Sequence, residues 1–134
     1  MEPSKVYDFC IVGGGYGGLI AGLNALRNKL TVAIVEKREH GQIGGTCLFE
    51  GCIPSKCLLN SSYKFYEAHH IMSKHGVHCK EITHDYAAMM KRKTDLLATM
   101  GANNTNKLKN MGCDLFHGLG KIKSKEEVEV ETPD

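Results

Sequence analysis

The sequence predicts an α/β domain built on a doubly wound parallel sheet, and three stretches predict it. Val6 to Val12 ends in a continuous apolar run, as a central strand of a parallel sheet does. Gly13-Gly14-Gly15-Tyr16-Gly17-Gly18 follows at once, and the next residues, Leu19 to Leu26, carry Ala21, Gly22 and Ala25, small enough for a helix to pack closely on the sheet. Leu30 to Glu36 is a second apolar strand, and it ends on an acid.

Taken alone, a six-residue glycine pattern is weak, because such patterns arise by chance in flexible loops. Here Gly13, Gly15 and Gly18 stand in the required context of a strand before, a helix after and a second strand ending in Glu36. The first glycine makes the tight turn, the second admits a pyrophosphate close to the backbone, and the third lets helix and strand approach. The helix N-terminus then offers unpaired N–H groups and a partial positive charge to the phosphates. Glu36, eighteen residues beyond Gly18, is placed to accept hydrogen bonds from a ribose. The bland alternative is a glycine-rich turn with no ligand.

After a polar loop, Lys37 to Ile43, comes Gly44-Gly45-Thr46-Cys47-Leu48-Phe49-Glu50-Gly51-Cys52-Ile53-Pro54-Ser55-Lys56. On a regular helix the five-residue offset of Cys47 and Cys52 is an axial rise of roughly 7.5 Å. A disulfide tolerates at most about 6.8 Å between Cα atoms. A bond here needs an irregular turn, for which Gly51 supplies the backbone freedom. The alternative is two unrelated buried thiols. A helix is expected from about Thr46 to His70, bent at Pro54, and a cysteine near its N-terminus has its thiolate favoured by the dipole. Lys56 adds positive charge nearby.

Ser73 to Thr83 reads as a linker. His69, His70, His75, His78 and Cys79 cluster around it, but their spacings match no zinc pattern, so no metal is expected. His84 to Asn110 reads as a long helix with a Met-rich apolar stripe, weakened in the middle by Gly101 and Asn103-Asn104. Cys113 to His117 is a third strand, followed by the Gly118-Leu119-Gly120 turn and by Lys121–Lys123 and Val128–Val130 as arms of a hairpin. The expected strand order is 3-2-1.

With 134 residues, 42% hydrophobic and 24% charged, the chain fits one soluble globular domain. A net charge of +2 with both signs mixed gives no support to nucleic-acid binding, and no apolar run approaches a membrane span. The start, Met1 to Lys5, is neither a secretory nor a transit segment, which fits a cytoplasmic chain or a mature organellar chain with an added Met. Six cysteines without a secretory signal point to selective use of one pair rather than to a disulfide framework.

The GGTC and GCIPSK stretches, with the glycine motif ahead of them, resemble the N-terminal part of the flavin-dependent pyridine nucleotide-disulfide oxidoreductases, and Leu48, Ile53 and Leu58-Leu59-Asn60 resemble the dihydrolipoyl dehydrogenases among them. Glutathione and mercuric reductases, which usually carry valine in place of Leu48 and Ile53, are the runners-up. The resemblance implies a Rossmann-like FAD-binding domain, incomplete, over residues 1–134, with the NAD and interface domains absent. Gly13, Gly15, Gly18 and Glu36 would hold the ADP half of FAD, and Lys37, Gly45, Thr46, Gly118 and Gly120 would line it. Cys47 and Cys52 would form the redox-active disulfide, Cys47 as the interchange thiol and Cys52 against the flavin. Lys56 would lie near the flavin ring and favour its reduced form. The implied reaction oxidises dihydrolipoyl groups, on the acyltransferase of 2-oxoacid dehydrogenase complexes, with NAD as final acceptor in a homodimer. The implied location is the mitochondrial matrix for a mature eukaryotic chain, and otherwise the cytoplasm.

The sequence also departs from that pattern. Tyr16 stands where the family usually has proline, the loop after Glu36 is about two residues longer, and the long helix lacks the usual Thr-Gly-Gly. Phe49-Glu50 replaces an asparagine and a small apolar residue, and a carboxylate there is expected to oppose thiolate formation. With the His–Glu base and the second FAD-contacting segment unmatched, the 134-residue chain is expected not to complete the NAD-linked reaction alone. The alternative reading is a non-catalytic, truncated FAD-binding fragment.

Overall fold

The computed structural model describes residues 5–38 and 42–132. Its sheet has three parallel strands, β1 (Phe9–Val12), β2 (Val32–Glu36) and β3 (Asp114–His117), in the spatial order β1-β2-β3. Helix α1 (Tyr16–Arg27) crosses from β1 to β2. Helices α2 (Gly45–Phe49), α3 (Cys52–His70) and α4 (Tyr86–Asn110) lie between β2 and β3, and an antiparallel hairpin, β4 (Leu119–Ile122) with β5 (Val128–Glu131), follows. The expected strand order and hairpin are both present, but Leu119 and Gly120, expected in a turn, are the first residues of β4, paired with Glu131 and Val130.

Every residue of β2 is buried. Leu19, Leu23 and Ala25 of α1 and Leu108 of α4 close over Val32 and Ile34 with Ile43, forming the core on one face of the sheet. Each fully buried aliphatic side chain of this set contributes about 1.5–3 kcal/mol. On the opposite face Val12 and Val35 meet Gly120 of β4, so the third layer is a hairpin.

β1 ends the three-stranded order. Among the described residues it pairs with β2 alone, and Phe9, Cys10 and Val12 remain exposed. The strand is pinned instead at its start. The Asp8 carboxylate accepts from the Thr31 backbone N–H at 2.8 Å and from its hydroxyl at 2.7 Å, which holds the Asp8 carboxyl below the usual range.

The expected single helix bent at Pro54 is two helices broken at Glu50-Gly51. Pro54 sits in the first turn of α3, where its missing N–H leaves no helical bond unmade. Conversely, α4 runs unbroken through the residues expected to weaken it, from an N-cap at Asp85 that accepts the Ala88 N–H at 2.9 Å. Gly101 makes room for the Phe49 ring, since a Cβ there would stand 2.8 Å from it. Asn104 donates to the Ile43 carbonyl at 3.2 Å, and the Ile43 N–H reaches the Thr105 hydroxyl at 3.4 Å. Packing against the 43–49 segment thus overrides weak local propensity. Among the described residues no helix is long and apolar enough to cross a membrane, and no three His, Cys, Asp or Glu side chains gather as metal ligands. His69 and His84 instead pack against Phe65, with ring centroids 4.5 and 5.7 Å away.

Candidate nucleotide and dithiol site

The turn after β1 is built as its glycine spacing requires. Gly13 takes φ +102°, and its N–H donates to the Val35 carbonyl at 2.8 Å. A Cβ on Gly18 would stand 2.2 Å from the Gly13 carbonyl oxygen, so only glycine lets α1 start this close to the strand. At Gly15 no atom lies within 4 Å of where a Cβ would be, leaving the N-terminus of α1 open to a ligand. The Glu36 carboxylate is 9% exposed and accepts the Gly14 N–H at 2.6 Å and the Arg38 N–H at 2.7 Å. Those two bonds fix its orientation and leave acceptor capacity for a ligand hydroxyl.

A cavity of about 600 Å³ opens above these strand ends, within the range of small-molecule sites. Its walls are Val12, Gly13, Val35, Glu36, Lys37, Arg38, Gly45, Thr46, Gly118, Leu119 and Gly120. Seven residues singled out from the sequence, Gly13, Glu36, Lys37, Gly45, Thr46, Gly118 and Gly120, therefore meet in one place. Gly15 and Gly18 shape the turn beside it rather than its wall.

The glycine pair ahead of the cysteines joins this turn to the dithiol. Gly44 donates its N–H to the Gly14 carbonyl at 2.8 Å and bridges to Gly15 as an isolated parallel pair. Gly45 has φ +59°, and a Cβ on it would stand 2.8 Å from the Gly15 Cα. The chain enters α2 directly from that contact, so Thr46 faces the cavity and Cys47 follows it.

Cys47 and Cys52 are both free thiols, half-buried and exposed respectively, and they face each other across the break between α2 and α3. The Cys52 thiol pushes the Cys47 thiol above its usual range, desolvation adds to that, and the charge of Lys56 pulls the other way. Lys56 is exposed and lies outside the nucleotide cavity. Cys57 is buried on the other side of α3, where its sulfur accepts from Arg92 at 2.9 Å. Burial pushes the Cys113 thiol up to about 11, so it stays protonated at neutral pH.

The Glu50 carboxylate, between the cysteines in the chain, pairs with the Arg38 guanidinium, which also lies 4.6 Å over the Phe49 ring. Arg38 and Gly14 are the site residues that sequence reasoning missed. A cation two residues beyond the acid that ends β2 was the available signal for Arg38. A third glycine inside the motif was the signal for Gly14, whose Cβ would collide with Ile43 and the Glu36 carboxylate.

The family model for pyridine nucleotide-disulphide oxidoreductases matches residues 7–132. The chain belongs to that family. It is 39% identical over 127 residues to dihydrolipoyl dehydrogenase 2, mitochondrial, of Arabidopsis thaliana, and 41% identical over 127 residues to the mitochondrial dihydrolipoyl dehydrogenase of Dictyostelium discoideum. Each match covers 95% of this chain and 25% or 26% of the relative. The chain therefore spans about a quarter of the length of these curated relatives. Among solved structures, the Cu(II) complex of the HOCl-induced flavoprotein disulfide reductase RclA from Escherichia coli superposes with a TM-score of 0.77 at 21% identity, over 97% of this chain and 25% of that one. At that identity the likeness speaks for the fold alone.

Proposed function

We propose that this chain is the FAD-binding and dithiol-bearing portion of a dihydrolipoyl dehydrogenase-type oxidoreductase. The observation that carries the reading is the direct joining of the two sites. One short path, Gly15 to Gly44-Gly45 to Thr46 to Cys47, leads from the nucleotide turn to the reactive sulfur. The fit to a dinucleotide rests on the open approach at Gly15, the oriented Glu36 carboxylate and the cavity volume. In this reading Gly13, Gly15 and the start of α1 face the pyrophosphate, Glu36 takes the ribose, and Lys37, Gly45, Thr46, Gly118 and Gly120 line the rest.

The chain's own residues do the thiol chemistry. From the oxidised Cys47–Cys52 disulfide, a dihydrolipoyl thiolate attacks the Cys47 sulfur, the bond between the cysteines breaks, and Cys52 leaves as a thiolate. The second lipoyl thiol then attacks its own mixed disulfide, closing the lipoyl ring and leaving Cys47 reduced. Lys56 stabilises the negative charge that develops on the pair. FAD, when bound, supplies the two-electron acceptor through which the dithiol is reoxidised, with NAD as the final acceptor. The substrate is the lipoyl-bearing acyltransferase of 2-oxoacid dehydrogenase complexes, the complete enzyme is a homodimer, and its place is the mitochondrial matrix for a mature eukaryotic chain and otherwise the cytoplasm. The dihydrolipoyl substrate and a mitochondrial location are supported by the names of the relatives.

Titration of the purified chain with FAD tests the cavity. Saturable quenching of flavin fluorescence, competed by ADP, is expected. Absence of binding at any concentration contradicts the reading.

A further inference from the structure

Arg38 belongs to two structures at once. It is a wall residue of the nucleotide cavity, and its guanidinium is paired with Glu50 and seated on the ring of Phe49. Phe49 and Glu50 are the last residue of α2 and its C-cap, between Cys47 and Cys52 in the chain. The ring is itself held by α4, packed into the space left by Gly101. The Phe49-Glu50 pair, the Gly101 gap and Arg38 thus form one contact set reaching from the cavity wall to the dithiol segment.

We propose that Arg38 is a positioning residue for the dithiol, which holds the Glu50 carboxylate away from the two sulfurs and so keeps a negative charge from opposing thiolate formation. This rests on the reading of Cys47 and Cys52 as the reactive pair. Cys52 and Lys56, one turn into α3, bear directly on Cys47, and the Glu50 carboxylate, three residues on from Cys47 and two before Cys52, is paired with Arg38 from the segment after β2. Lys56 favours ionisation of Cys47, and the Glu50 charge is engaged by Arg38. The ion pair is partly exposed, with Arg38 29% and Glu50 59% accessible, so it adds little to stability. Its consequence is local: it decides where a carboxylate beside two thiols points. The cation–π contact fixes the guanidinium in the orientation that the pairing needs.

The test is the pH dependence of iodoacetamide alkylation at Cys47 and Cys52 in the reduced chain, resolved by peptide mass mapping. Arg38→Gln is expected to slow alkylation of the pair about threefold at pH 7 and to displace the profile to higher pH. Arg38→Gln with Glu50→Gln is expected to return to the wild-type profile, and Arg38→Lys to stay close to it. A merely structural role for Arg38 would leave the double variant as displaced as the single one, because the packing is lost in both. Superimposable profiles for Arg38→Gln and wild type, or a double variant as slow as Arg38→Gln, overturn the proposal. Should Arg38→Gln not fold, Phe49→Leu removes the seat of the guanidinium while filling the same space. It is expected to displace the profile in the same direction by a smaller amount, and an unchanged profile counts against the proposal. Alkylation does not require flavin, so a failed FAD titration and a failed charge cycle remain separate results.

Discussion

Replacing Gly18 by alanine is expected to destabilise the chain by roughly 2–3 kcal/mol and to lower its affinity for FAD at least tenfold. The added methyl would stand 2.2 Å from the Gly13 carbonyl oxygen and 3.0 Å from the Ile11 side chain. A backbone oxygen cannot rotate away as a side chain can, so α1 or the turn must move. That movement disrupts the N-terminus of α1, where the phosphates are expected to bind. Gly17→Ala is the matched control, because no atom lies within 4 Å of the new methyl. It is expected to leave stability unchanged or raise it slightly, alanine being the better helix former. Thermal melts and FAD titrations of the two variants check both statements. Equal behaviour would mean that the turn is not held by the contact at Gly18.

The second large effect is expected at the dithiol. Treated with hydroxyethyl disulfide, the reduced wild-type chain is expected to lose two hydrogens and carry no adduct on Cys47 or Cys52. One thiolate opens the reagent, and the neighbouring thiol then resolves the mixed disulfide. Cys52→Ser removes the resolving thiol, so a stable mixed disulfide is expected on Cys47. Cys47→Ser is expected to leave Cys52 with its own adduct and no intrachain bond. In either variant the yield of the closed disulfide falls by a factor of about a thousand or more, since a serine hydroxyl cannot take part. Cys57→Ser is expected to behave as wild type, because that sulfur is buried against Arg92 on the far side of α3. Mass mapping of the four proteins decides the matter. Persistent adducts on both residues of the wild-type chain would show that the two thiols do not act together.

How much of this was legible in the residues follows from the range of the interactions concerned. The glycine turn, β2 and Glu36 were readable because their contacts are local in sequence or set by a repeating pattern. Gly18 packs on Gly13, and the acid at the end of β2 lies at the distance a βαβ unit fixes. The break at Glu50-Gly51 was less legible, since Pro54 drew attention to a kink that its first-turn position makes unnecessary. Least legible was what joins distant segments. Gly101 reads as a weak point in a helix until the Phe49 ring is placed against it, fifty-two residues earlier in the chain. Glu50 reads as a charge beside two thiols until Arg38 is found to engage it. The departures from the family pattern at Phe49 and Glu50 are therefore connected to Gly101 and Arg38, and only the folded chain connects them.

The measurement closest to the centre of the account is the flavin absorbance of the FAD-loaded chain on addition of dihydrolipoamide without oxygen. Bleaching of the oxidised flavin band in wild type, and its loss in Cys47→Ser, is the predicted result. Flavin that binds in the cavity but keeps its oxidised spectrum in the presence of the dithiol, or bleaches equally without Cys47, would show that cavity and dithiol are not one site.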